Sequence, residues 1–133
     1  MKLLLDTHVW IWSQEIPNNL SAKTRTLLLN PENSLYISTV SNLEITRLCS
    51  LDRIRLTMEL QSWVNRSLEL LKADTINLSH EIALESYRLP EPFHRDPANR
   101  MLVATARIHG LYLLTAEDTI LKYPHVSCMD ARE

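Results

Sequence analysis

Leu3-Leu4-Leu5-Asp6-Thr7-His8-Val9-Trp10 opens the chain with a short apolar run that ends abruptly in an acid. The run has no polar alternation, as expected of a strand covered on both faces. Helical periodicity follows through Val9, Trp10 and Trp12. This strand-then-helix unit recurs along the chain. Leu35-Tyr36-Ile37 reads as a second strand, followed by a helix over about 40–49. One or two helices are expected between Ile54 and Leu71, then a strand over 75–78 and a helix from Ser79 or His80 to about Arg88. Asp96-Pro97 opens a helix that Gly110 is placed to end. A strand over 111–114, a short helix over 119–122 and a last strand over 126–128 complete the pattern. Ser21 fits the N-cap of a further helix ending near Leu29, and Asn30 to Asn33 is turn material. Strands alternating with helices imply a parallel sheet. The reading is one α/β domain over residues 1–133, in three layers, with about five strands flanked by helices.

Composition narrows the function. The chain has 133 residues, 45% of them hydrophobic, which suits one packed domain. Its formal charge of −2 excludes attachment to nucleic acid by bulk positive charge, though not a local basic patch beside an acidic site. The single glycine, Gly110, rules out both the phosphate-binding P-loop and the GxGxxG dinucleotide motif. Cys49 and Cys128 belong to no CxxC or Cys/His cluster and read as reduced core residues. No secretory leader or membrane-spanning run is expected, which suits a cytoplasmic protein.

In an open parallel sheet the ligand lies beyond the carboxyl ends of the strands. Asp6 follows the first strand. Ser38-Thr39 follows the second, with Glu44 further into the next helix. Thr115-Ala116-Glu117-Asp118 follows the fourth, and Asp96 and Asn99 open the helix that feeds it. These oxygen-bearing side chains would crowd one edge of the sheet, where like charges repel without a cation. Oxygen ligands favour Mg²⁺ or Mn²⁺ over zinc. A hard divalent ion on carboxylates is the apparatus of phosphoryl transfer. Each residue also fits a structural role. Asp6 and Asp96 fit helix N-caps, and Ser41-Asn42-Leu43-Glu44 fits a capping box. Glu117 fits a solvated first-turn acid. Asn99 shares a helix face with Leu102, Val103 and Ala106 and needs a partner there.

Four stretches together resemble the PIN-domain family of the VapC toxin type: residues 3–10, the I-S-T-V-S-N-L-E-I run over 37–45, the H-R-D-P-A-N-R run over 94–100, and L-L-T-A-E over 113–117. The resemblance implies a Rossmann-like parallel sheet and an endoribonuclease in which a metal-activated water attacks a backbone phosphate. It implies Mg²⁺ or Mn²⁺ on Asp6, Glu44, Asp96, Asn99 and Glu117, which would also be the catalytic set. It further implies a cognate antitoxin of a type II toxin–antitoxin pair, and a homodimer. The chain departs from the family pattern at Asn99 and Glu117, where aspartates are usual. Those departures imply weaker metal binding, or a shift of duty onto Asp96 and Asp118. They leave a degenerate PIN domain, binding RNA or antitoxin without turnover, as the alternative. Substrate or antitoxin contacts are expected from Thr7, Thr115, Asp118, Arg95, Arg100 and Trp10, with Trp12 the other tryptophan that could line the groove. A phosphatase forming an aspartyl phosphate would need a second Asp where His8 stands.

Overall fold

The computed structural model describes residues 1–133 and contains five parallel strands in the order β3-β2-β1-β4-β5. They are β1 (Lys2–Leu5), β2 (Ser34–Ser38), β3 (Asp74–Ile76), β4 (Tyr112–Thr115) and β5 (Cys128–Asp130). The helices are α1 (Thr7–Glu15), α2 (Ala22–Leu29), α3 (Thr39–Ser50), α4 (Leu60–Leu71), α5 (His80–Glu85), α6 (Pro97–His109) and α7 (Asp118–Leu121), with a 3₁₀ turn over Pro17–Asn19.

The central strand explains the lack of alternation. Leu3 and Leu5 enter one core with Leu35, Ile37, Leu114, Trp10 and Trp63. Leu4 enters a second core with Leu102, Val103, Leu113, Ile82 and Ile120. Both faces of β1 are therefore dry, and all three leucines have no solvent exposure. The first core is closed by α1, α2 and α4, the second by α5, α6 and α7. This is the expected three-layer arrangement.

Local signals act where the sequence placed them. Ser21 caps α2 by accepting from the Thr24 N–H, and Ser79 caps α5 in the same way through Ile82. Gly110 ends α6 at φ 65°, a left-handed conformation that costs glycine little. Several boundaries differ from expectation: β3 ends at Ile76 and not at 78, and α5 ends at Glu85, short of Arg88. No helix begins at Ile54. From Leu51 the chain is irregular up to Glu59, whose carboxylate caps α4 through the Gln61 and Ser62 N–H groups. The last strand is Cys128–Asp130, not 126–128. Its pairing with β4 is set by register, Leu113 to Cys128 and Thr115 to Asp130, and Val126 packs into the second core from outside the strand.

The central position of Leu4 makes it the test of this packing. Leu4→Ala is expected to destabilise the protein by about 2–5 kcal/mol, read as a lower urea midpoint with unchanged slope.

Candidate active site at the β1–β4 crevice

Strand order reverses between β1 and β4, since β1 leads to β2 on one side and the chain later returns to β4 on the other. In such sheets the crevice beyond the carboxyl ends is the binding place. Asp6 occupies it. The Asp6 N–H donates to the Leu114 carbonyl at 2.9 Å, which extends the β1–β4 ladder by one residue. Its carboxylate is then held from two sides: Oδ1 accepts from the Thr7 N–H at 2.7 Å, and Oδ2 accepts from the Thr115 hydroxyl at 2.6 Å. Asp6 is the N-cap of α1, so the structural reading of it holds. It is only 3% exposed. Burial pushes its carboxyl above the usual range, against the pull of the Thr115 and Thr7 bonds, and the nearby Glu117 charge adds to the rise.

Glu44 reaches the same region from α3. The capping box does not form, because Ser38 is the N-cap and accepts from the Val40 N–H at 3.0 Å. Ser41 and Glu44, one turn apart, instead meet Thr7. The Thr7 hydroxyl donates to Glu44 Oε1 and lies 2.9 Å from Ser41 Oγ. Thr7 has one hydroxyl proton, so the Ser41 hydroxyl is the donor in that second bond. Glu44 is half-buried. Its carboxyl is raised, first by desolvation and then by repulsion from Asp6 and Asp96, against the Thr7 bond.

Asp96 caps α6 through the Asn99 N–H at 3.2 Å and is otherwise exposed. Asn99 finds the partner its apolar face demands in His94, whose Nε2 lies 2.7 Å from Asn99 Nδ2. The amide N–H donates there, the ring nitrogen accepts, and Asn99 Oδ1 keeps its lone pairs. A neutral ring accepting at Nε2 carries its proton on Nδ1, so the 3.5 Å approach of the Asp96 N–H to Nδ1 is a contact and not a bond. Glu117 precedes α7 and makes no side-chain cap bond. A cavity of about 290 Å³ opens here, lined by Asp6, His8, Trp12, Glu117, Asp118 and Thr119 among others.

Two expectations need correction. Trp10 contacts no groove: it has no exposure, donates from its indole to Ser67 Oγ at 2.9 Å and lies 5.2 Å from the Trp63 ring. Trp12, two residues on and turned by about 200° around the helix, lines the cavity instead. Arg100 is 4% exposed and faces inward. It donates to the carbonyls of Ser86, Phe93 and His94 and to Glu91, and stacks over Tyr87 and Phe93, so it braces the loop that carries His94. Asp118 lines the cavity and is paired at the surface with Arg132 at 3.0 Å, and Arg132 is also clasped by Asp130. Thr7 and Thr115 are buried and hold Glu44 and Asp6 in place. Arg95 is exposed.

The donors suit a hard cation. A buried carboxylate and a half-buried one, both raised, are stabilised by positive charge at their shared edge, and Asp6, Glu44, Asp96, Asn99 and Glu117 offer oxygen. No three His, Cys, Asp or Glu side chains are grouped tightly enough to enclose an ion.

A family model for the PIN domain matches residues 3–125. The chain belongs to the PIN domain family. It is 29% identical over 123 residues to "Ribonuclease VapC22" of Mycobacterium tuberculosis, covering 92% of both chains. Among solved structures, the fold resembles VapBC2 from Rickettsia felis bound to a promoter DNA fragment, at TM-score 0.72 and 14% identity over 97% of this chain and 98% of that one. It also resembles VapBC-5 from Mycobacterium tuberculosis, at TM-score 0.58 and 17% identity over 96% and 97%. The PIN match takes in Asp6, Glu44, Asp96, Asn99 and Glu117 and stops short of Asp130 and Arg132.

The raised carboxyl of Asp6 has a consequence for stability. A group whose folded pKa lies above its unfolded value binds its proton more tightly when folded, so stability falls as pH rises from the unfolded pKa through the folded one. With metal chelated, Asp6→Asn is expected to melt higher than the parent at neutral pH, with the gap closing towards pH ~4. A parent as stable as the variant throughout would mean that burial of Asp6 carries no cost.

Proposed function

We propose that this PIN domain is a metal-dependent endoribonuclease, the toxin of a type II toxin–antitoxin pair. The observation that carries the reading is the buried Asp6 carboxylate, fixed by Thr115 and Thr7 beside Glu44 and Glu117 at the β1–β4 crevice. The sequence likeness to a protein named as a ribonuclease supports the activity, and the toxin–antitoxin complexes among its structural neighbours support a cognate antitoxin partner.

Mg²⁺ or Mn²⁺ would be held by Asp6, Glu44, Asp96, Glu117 and the Asn99 Oδ1. When bound, the ion supplies an activated water and charge neutralisation at the phosphate. The chain's own residues do the rest. Asp6 is immobilised as an acceptor by bonds to both oxygens. Glu44 Oε1 is tied to Thr7, which leaves Oε2 to take a proton from the attacking water. The raised carboxyl of Glu44 suits that role, because a base works best with a pKa nearer the working pH. The N-terminus of α1 begins beside Asp6 and turns its positive dipole end towards the phosphate. Arg95, exposed next to Asp96, is placed to meet a neighbouring phosphate. The leaving group is a 3′ oxygen. The functional unit is a homodimer acting in the cytoplasm; no helix is long and apolar enough to cross a membrane.

A second reading rests on Asn99. It supplies a neutral oxygen where a carboxylate would add charge, and its amide is committed to His94. A binding module without turnover follows if that loss disables the site.

Purified, antitoxin-free protein is expected to cut total RNA into discrete fragments with Mn²⁺ or Mg²⁺ and not with EDTA. Asp6→Ala should lose more activity than the roughly 10–100-fold that removing an outer partner costs, and Thr115→Val should fall within that range. Folded protein that cuts nothing, with activity appearing in Asn99→Asp, would replace the enzyme by the binding module.

A further inference from the structure

We infer that Trp12 is a nucleobase subsite: a base of single-stranded RNA next to the scissile phosphate stacks on its indole. The inference rests on the ribonuclease reading and adds a specificity-determining residue to it.

Three tryptophans lie in this chain, and two are spent on structure. Trp10 and Trp63 are buried against each other, and their indole N–H groups donate to Ser67 and Glu15. Trp12 is different. It packs one edge against the first core yet lines the cavity that holds Asp6 and Glu117, and its indole N–H has no partner within the protein. His8, one helical turn earlier and exposed, stands on the same side of α1. The two rings are 6.1 Å apart and tilted by 58°, an aromatic pair on that side of the helix. Flat aromatic faces beside an acid site accept any base, because every base has a π-face. Unstacked bases of single-stranded RNA are the natural occupants.

The cavity also has a neighbour. Thr119 lines it and lines a second cavity of about 410 Å³, where Phe93, His94, Tyr123 and His125 form an aromatic wall with Lys122 beside it. Phe93 and Tyr123 stack at 4.1 Å, and His125 packs edge-on to Tyr123. Joined at Thr119, the two cavities would make a trough from Trp12, past Asp6 and Glu117, to a second aromatic surface carrying a cation. An extended strand laid along it would place a phosphate at the carboxylates and a base on Trp12.

The test uses binding separately from cleavage. Trp12 is the tryptophan that solvent reaches, so its fluorescence reports on the trough. In the Asp6→Asn protein with Mg²⁺, a mixed-sequence single-stranded RNA oligonucleotide should quench that fluorescence, and its abasic ribose-phosphate counterpart should not. Trp12→Leu keeps the apolar packing and removes the aromatic face. It should bind the base-bearing oligonucleotide about 10-fold more weakly or worse, while the abasic one binds as before. In the otherwise unaltered protein, Trp12→Leu should raise KM and leave kcat largely intact, and Trp12→Phe should restore much of the loss. Equal affinity of Trp12→Leu and parent for both oligonucleotides would overturn the subsite while metal-dependent cleavage kept the ribonuclease reading. Quenching by an arginine-rich peptide and none by RNA would overturn it in favour of an antitoxin contact. A parent that neither binds nor cuts RNA would remove the ribonuclease reading itself.

Discussion

Burying a carboxylate is costly unless its oxygens are satisfied and its charge is met. Asp6 sits at the end of the central strand with almost no exposure, and much of the surrounding structure serves that one group. Thr115 at the end of β4 and the first N–H of α1 satisfy its oxygens. Its own N–H joins the two strands beneath it. The same residues that close the β1–β4 ladder thus aim the carboxylate, so sheet and site cannot be separated. What hydrogen bonds leave uncompensated is charge, and burial therefore raises the Asp6 and Glu44 carboxyls.

Thr7 links the second carboxylate to the first. Its backbone caps onto Asp6 and its hydroxyl holds Glu44, with Ser41 behind it. One residue therefore sets the spacing of two acids that come from different elements. Positions of this kind work through the groups they hold. Arg100 plays a comparable part on the other flank, where it gathers three carbonyls around His94, and His94 in turn orients Asn99. The rigidity of the site is built from buried hydroxyls and one buried guanidinium.

The neutral Asn99 bears on how much charge the site needs. A full set of carboxylates would bind an ion more tightly, but would also repel more strongly when empty. Here the amide takes its orientation from a histidine and leaves an oxygen free, and it adds nothing to the repulsion between Asp6, Glu44 and Asp96. Asp118, at the rim of the same cavity, is paired at the surface with Arg132.

Much of this was legible in the residues. Leu3-Leu4-Leu5 specifies a strand buried on both faces, because it leaves no polar residue to face water. The alternation of such runs with helices specifies a parallel sheet. Acids placed after strands show which edge carries the chemistry. Caps such as Ser21, Ser79 and Gly110 are decided by local hydrogen bonding and local backbone freedom. Other matters lay beyond the reach of neighbours in the chain. The choice between Trp10 and Trp12 depends on the phase of α1 against α4. Whether Arg100 points outward depends on a loop folding over it. Whether Ser41 and Glu44 cap a helix or meet Thr7 depends on where α3 begins. The order of elements and the chemistry at their ends could be read directly, since both follow from residues adjacent in the chain. Which side chains face the crevice was settled only on folding, because packing between distant segments turns each helix to one face and not another.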